Sequence, residues 1–231
     1  MSIAENIALV RANIAQACAQ AGRSPEEITL VGASKMNDAA ACREAIAAGI
    51  DALGENRVQE MTAKLADNAY DGAPLHFIGH LQRNKVKQVV GKVALIQSVG
   101  SMELLEEIEK VAAREQLVQD ILLEVNIGRE EAKSGFDPDA VTAAAEAALS
   151  LPHVRVRGLM TIPPADADRD ANMRYFQEVQ ALYVDINTKL FHNELKCLSM
   201  GMSGDYMDAI RCGATMVRVG TAIFGARNYN I

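Results

Sequence analysis

The feature that most narrows the choice of fold is an alternation. Eight short apolar runs recur along the chain: ITLVGAS (28–34), DALGEN (51–56), LHFIGH (75–80), ALIQSVG (94–100), ILLEVNI (121–127), VRVRGLMTI (154–162), LKCLSMGM (195–202) and MVRVGTAIFG (216–225). Such runs suit strands covered on both faces. Between them lie amphipathic or alanine-rich stretches, among them AAACREAIAAG, RVQEMTAKLADNAY, QRNKVKQVVG, SMELLEEIEKVAAREQ, ANMRYFQEVQALYVDINTKL and SGDYMDAIRCG. Their apolar residues fall at helical spacing. Eight strands with helices in the intervals between them predict an α/β chain folded as one (β/α)8 barrel. The rival is an open doubly wound sheet, but no G-x-G-x-x-G follows the first strand, so its dinucleotide-binding form lacks its signature. Residues 1–24 predict an additional N-terminal helix packed on the barrel. No linker or low-complexity stretch divides the chain, so residues 1–231 are expected to form a single domain.

Composition narrows the chemistry. Of 231 residues, 49% are hydrophobic, enough for one sizeable core, and the net charge is -7 with no long basic run. That balance argues against nucleic acid as a partner. Trp is absent and aromatics are few, which removes a stacking platform for single strands. No run approaches the ~18 apolar residues of a membrane helix. The N-terminus lacks the basic start and unbroken apolar centre of a signal peptide. Cys18, Cys42, Cys197 and Cys212 form no CxxC pair and read as reduced thiols of a cytoplasmic protein.

In a barrel of this kind, chemistry gathers where strands end and helices begin. Those ends are Ser34-Lys35, Glu55-Asn56, Gly79-His80, Asn126, Met160-Thr161, Ser199 to Ser203 and Arg218 to Thr221. Loops after strands seven and eight often hold phosphate, because glycine lets backbone N–H groups approach an anion. Gly220-Thr221 offers a bare backbone and a hydroxyl, and Ser199 and Ser203 add further hydroxyls. Ser203 also reads as an N-cap of the helix beginning GDYMDAI. Arg218 lies two residues before Gly220 and shares its face. A cation pointing into the barrel mouth needs an acceptor, either a carboxylate such as Glu124 or Glu55, or a ligand. Lys35 follows the first apolar run directly. A partly desolvated lysine near other cations has a lowered pKa and can attack a carbonyl to form a Schiff base. A phosphate site, a nucleophilic amine and an arginine aimed at a ring together describe pyridoxal 5′-phosphate (PLP).

The chain resembles the pyridoxal-phosphate homeostasis proteins, a family related to the barrel of alanine racemase. The matching stretches are SK at 34–35, GENRVQE at 54–60, HFIGHLQRNK at 76–85, EVNIGREEAKSG at 124–135, GLMTI at 158–162, LSMGMSGDYMDAI at 198–210 and MVRVGTAIFGARNY at 216–229. They span nearly the whole chain in order. The resemblance implies a fold-type III PLP-binding TIM barrel with the cofactor held as an internal aldimine on Lys35. It implies Asn56 as a ring-side contact and Arg218 at the pyridine nitrogen. Ser199, Met200, Gly220 and Thr221 would form the phosphate cradle, with Ser203 beside them. The chain departs from the family pattern in MNDAA after the lysine, in Leu75 and in Gly204.

The expected role is that of a carrier without amino-acid catalysis, which buffers PLP or delivers it to recipient enzymes. An arginine at the pyridine nitrogen keeps that nitrogen unprotonated and makes the ring a poorer electron sink. The chain stops soon after its eighth run, so no second domain is expected to lend a catalytic tyrosine, and Tyr206 reads as part of a helix. The alternative is a minimal PLP-dependent racemase or decarboxylase. His76 and His80 fall on a strand pattern rather than one helix face, so no metal site is expected. Lys133 lies in a charged loop, as a solvated residue or a secondary contact, and Lys85 and Lys87 decorate a helix face. Monomer and dimer are both open.

Overall fold

The computed structural model describes residues 1–225. The chain runs α1 (Ile3–Gln20), β1 (Thr29–Ala33), α2 (Ala39–Ala47), β2 (Ala52–Glu55), α3 (Val58–Ala66), β3 (Leu75–Phe77), a 3₁₀ turn (Arg83–Gln88) and β4 (Leu95–Val99). It continues with α4 (Met102–Arg114), β5 (Gln119–Val125), α5 (Val141–Ala148), β6 (Val154–Thr161), α6 (Arg169–Leu190), β7 (Cys197–Ser199), α7 (Tyr206–Arg211), β8 (Met216–Val219) and α8 (Thr221–Phe224). The eight strands are parallel and close in sequence order, with β1 hydrogen-bonded to both β2 and β8. All eight apolar runs supply one strand each, so the barrel expected from the alternation is the fold observed.

Side chains sort by the two-residue period of each strand. Val31, Ala52, Leu95, Leu122, Met160 and Met216 point inward and fill the barrel floor. Their neighbours, such as Leu30, Leu53, Ile96 and Val217, point outward beneath the helices. Above the floor the inward positions turn polar, with His76, Gln97, Glu124, Ser199 and Arg218 all buried. α1 starts on a capping box, in which Ser2 Oγ accepts from Glu5 N–H and Glu5 Oε2 accepts from Ser2 N–H. It buries Ile7, Val10, Ile14, Ala17 and Cys18, a stripe at helical spacing, against α2, α7 and α8.

Three boundaries differ from expectation. The last run does not stay extended to Gly225. Strand β8 stops at Val219, and Gly220 (φ -109°, ψ -80°) turns the chain into α8. Strand β7 keeps only Cys197–Ser199, because Gly201 adopts φ 93° and bends the chain away. Within 82–91 the only helical turn is 3₁₀, Arg83–Gln88, and not an α-helix. Residues 226–229 of the family-like final stretch lie outside the described residues.

Candidate functional site

The register of the barrel sets the mouth. Val31 pairs with Arg218 and Ala33 with Gly54. The Lys35 turn therefore rises between the end of β2, where Asn56 follows, and the end of β8, where Gly220 follows. Lys35 is half-buried. Asn56 is half-buried too, and its Oδ1 is a buried acceptor with no hydrogen-bond donor among the described residues.

Arg218 lies at the base of this space, 3% exposed. Its Nη1 donates to Ser199 Oγ at 2.5 Å and its Nη2 to the Thr161 carbonyl at 2.9 Å. Those bonds use two of the five donors of a guanidinium. Among the described residues no carboxylate is within ion-pair distance of it: Glu124 and Asp205 act on it only through space, and Glu55 is bound elsewhere. Burial pulls the Arg218 pKa down to about 10, which still leaves it a cation at neutral pH. The chain of bonds continues outward. Ser199 Oγ donates to Gln97 Oε1 at 2.7 Å, and Gln97 Nε2 lies 3.0 Å from His76 Nδ1 and 3.1 Å from Met216 Sδ. Burial holds the His76 pKa down at about 4, so the imidazole is neutral and Nδ1 accepts from Gln97. A neutral relay thus orients a buried cation.

The phosphate-type loops meet as the strand order requires. Ser203 Oγ accepts from Gly220 N–H at 3.2 Å and from Ala222 N–H at 3.3 Å, tying the turn after β7 to the start of α8. Ser203 therefore does not cap α7, whose N-cap is Asp205 and whose first turn receives no side-chain capping bond. The Asp205 carboxylate instead accepts from Met202 N–H at 2.6 Å, while burial raises its pKa. A side chain at Gly204 would meet nothing within 4 Å, so the loop faces open space. Thr221 is exposed and Gly220 buried. Met200 is fully buried in the outer core and Ser199 is held by Arg218 and Gln97. Of these two, Met200 is packed in the outer core with its N–H bonded to the Met216 carbonyl, and Ser199 serves the arginine.

The other half of the mouth opens into clefts. One of about 400 Å³ is lined by Asn56, His80, Glu124, Asn126 and Lys133, and one of about 600 Å³ continues past His80 to Ser98 and Arg83. Glu124, on β5, is buried and its pKa is raised by that burial, although Ser134 Oγ donates to its Oε2 at 3.1 Å. Lys133 pairs with Glu130 at 2.5 Å. Lys87 is exposed and Lys85 half-buried. Tyr206 points the other way, its hydroxyl accepting from Asn13 Nδ2 of α1 at 3.0 Å. Among the described residues no cluster of three His, Cys, Asp or Glu could hold a metal ion, and His76 is inside the barrel while His80 is exposed.

Two groups of site residues escaped sequence reading. Gln97 and His76 form the relay behind Ser199, and a glutamine inside the apolar run ALIQSVG was the signal. Glu55, Glu60, Lys64 and Tyr70 form a buried cluster beneath the Lys35 turn. Its trace in the sequence is the i,i+4 pair Glu60–Lys64 on a helix that begins at the mouth.

Comparison with known proteins agrees with this fold. The family model described as alanine racemase, N-terminal domain, matches residues 6–228. A pyridoxal phosphate homeostasis protein of Aquifex aeolicus is 42% identical over 99% of this chain and 100% of its own length. A protein of the same name from Pseudomonas aeruginosa is 41% identical over 99% of this chain and 97% of its own. PipY of Synechococcus elongatus, solved with PLP bound, superposes with a TM-score of 0.84 at 33% identity, covering 97% of this chain and 100% of PipY. An alanine racemase of Clostridium difficile shares the fold, with a TM-score of 0.72 at 18% identity, and this chain covers 58% of it. Matched along its length by relatives of one name and by one family model, the chain belongs to the pyridoxal phosphate homeostasis protein family, within the alanine racemase N-terminal domain group.

Proposed function

We propose that this chain binds PLP covalently through Lys35 and works in PLP homeostasis, buffering the cofactor or delivering it, without amino-acid catalysis. The observation that carries the reading is Arg218, a buried guanidinium in the mouth with no carboxylate partner among the described residues. The residues present fit the group. Arg218 would offer a donor to the pyridine nitrogen, Asn56 Oδ1, unpartnered among the described residues, would face the ring side, and Ser203, Gly220 and Thr221 bound an open loop that would take the phosphate. PLP supplies an aldehyde that condenses with amines and a ring that withdraws electrons. Arg218, oriented by Ser199 and the Thr161 carbonyl, would disfavour a proton on the ring nitrogen and so weaken that withdrawal. Tyr206, bonded to α1, is turned away from the mouth. The names of the curated relatives and the PLP bound to PipY support the same reading. Among the described residues no helix is long and apolar enough to cross a membrane, and all four cysteines are free.

The test is a visible spectrum of the purified chain with PLP, followed by borohydride reduction and peptide mass mapping. Yellow colour fixed onto Lys35 and lost in Lys35→Ala is the expected result. A chain that stays colourless with added PLP overturns it. Proton exchange at Cα of a panel of amino acids in heavy water separates carrier from enzyme: exchange at enzyme-like rates would establish a racemase or decarboxylase instead.

A further inference from the structure

Lys35 stands between two residues held by one buried cluster. On its N-terminal side, the Ser34 carbonyl accepts from Lys64 Nζ at 2.8 Å and the Ser34 hydroxyl donates to Glu55 Oε1 at 2.7 Å. On its C-terminal side, Met36 N–H donates to Glu60 Oε1 at 2.5 Å. Lys64 Nζ joins the two halves, 2.7 Å from Glu55 Oε1 and 2.8 Å from Glu60 Oε1. The Tyr70 hydroxyl adds a bond to Glu55 Oε1 at 3.0 Å. Glu55 is fully buried and Lys64 is 7% exposed. Burial works against the Lys64 ammonium, but the charge of Glu55 and the bonds to Glu55 and Glu60 outweigh it and raise its pKa. Buried ion pairs are poor sources of stability, because desolvation offsets their attraction. Two carboxylates and an ammonium beneath one turn therefore call for a role beyond holding the fold. The turn itself is strained. Met36 sits at φ 63°, a left-handed conformation that a side chain with a Cβ keeps only when its surroundings impose it.

We propose that Glu55, Glu60 and Lys64 are positioning residues that clamp both peptide flanks of Lys35, hold its amine towards the mouth, and thereby set the rates of PLP loading and release. This rests on the reading of Lys35 as the anchoring amine. The step served is a condensation: the Lys35 nitrogen bonds to the aldehyde carbon, C=N replaces C=O, and one water leaves. Release is the reverse, with water added. No electron donor or acceptor is needed. The clamp touches none of the reacting atoms. It removes rotational freedom from the turn that carries the amine, so more of the encounters between amine and aldehyde are productive. Glu60 is the most telling member, because it is only half-buried and its Oε1 serves both Lys64 and Met36 N–H.

The test follows colour formation by stopped flow after mixing the apo chain with PLP. Release into an excess of a competing amine, borohydride mapping and the melting temperature of the apo chain accompany it. Glu60→Ala is expected to load about tenfold more slowly and release about tenfold faster, the loss of one charge-assisted hydrogen bond. The adduct remains on Lys35. Glu60→Gln keeps an oxygen acceptor for Met36 N–H and is expected to recover most of the wild-type rate. Lys64→Met is expected to act in the same direction as Glu60→Ala, and if it does not fold the Glu60 pair decides. A Glu60→Ala chain that melts lower but loads and releases at wild-type rates overturns the clamp alone. Absence of a fixed adduct on Lys35 in the wild type overturns the reading of Lys35, and the clamp with it.

Discussion

At the scale of single residues, the site is a matter of where charge is kept and where it is refused. Arg218 is buried and oriented by hydrogen bonds to neutral partners, while Glu124 and Asp205 favour its charge through space. A lysine in its place is a point donor and cannot span Ser199 Oγ and the Thr161 carbonyl while facing a ring nitrogen. Arg218→Lys is therefore expected to weaken PLP binding by about tenfold or more, read by spectrophotometric titration. An unchanged Kd would show that the guanidinium does not face the cofactor. His76 is refused its charge, with a pKa near 4 against an ordinary 6.5. Between those values the unfolded chain carries a proton that the native chain lacks, so stability falls as the pH drops from 6.5 towards 4, by up to about 3 kcal/mol. Glu124 and Asp205, raised by burial, take up protons in the native state as the pH falls and act in the opposite sense. The difference between wild type and variant isolates His76. In His76→Gln the acid-side fall in urea-unfolding free energy is expected to shrink by about 3 kcal/mol, and an unchanged profile would place the proton-linked loss elsewhere.

At the scale of elements, β6 and β7 show how tightly neighbouring strands are held. Gly158 pairs with Cys197, and a Cβ there would lie 1.6 Å from the Cys197 carbonyl oxygen. The obstacle is backbone and cannot swing aside, so Gly158→Ala must force β6 from β7. A loss of about 3 kcal/mol is expected in denaturant titration, and a variant of wild-type stability would mean that the register shifts at little cost. What was legible in the sequence follows from the same local physics. All eight strands could be read because strands covered on both faces are written as contiguous apolar runs. The end of the last run was misread because Ala-Ile-Phe suits a strand as well as a helix, and the turn is held by distant partners, the Ser203 bonds to Gly220 and Ala222 and the bond from Asn6 Nδ2 to the Ile223 carbonyl. Lys35 and Arg218 could be picked out because they break or follow apolar runs at the mouth. The Glu55–Lys64 cluster could not, because an i,i+4 Glu–Lys pair looks the same on a solvated helix as on one whose lysine tip is buried. Position in three dimensions, and not residue type, separates those two cases.

At the scale of the whole molecule, the proposed ligand would join strands that adjoin in the barrel but are far apart in the chain. Lys35 follows β1, Ser203 follows β7, and Arg218 and Gly220 belong to β8 and its end, with β8 paired to both β1 and β7. β7 and β8 share a single register pair, Ser199 with Met216, and the seam is held by backbone bonds from Thr215 N–H to the Leu198 carbonyl, Met200 N–H to the Met216 carbonyl and Arg218 N–H to the Gly201 carbonyl. α1 covers its outer side by packing on α7 and α8. A ligand anchored on all three strands binds the closed barrel and not the unfolded chain, so its binding energy adds to the stability of the native state. At a hundredfold excess over Kd the gain is about 2.7 kcal/mol, which for a chain of this size raises Tm by roughly 5–10 °C. Calorimetry of the chain with and without PLP is expected to show that shift, with a smaller one in Lys35→Ala, where the phosphate and ring contacts remain but the covalent tie does not. Equal shifts in the two chains would mean that the amine adds nothing to the native state and that Lys35 is not the anchor. No shift in either would mean that PLP does not bridge β1, β7 and β8, and the seam would be held by its own backbone bonds, the Arg218–Ser199 bond, the Ser203 bonds and α1.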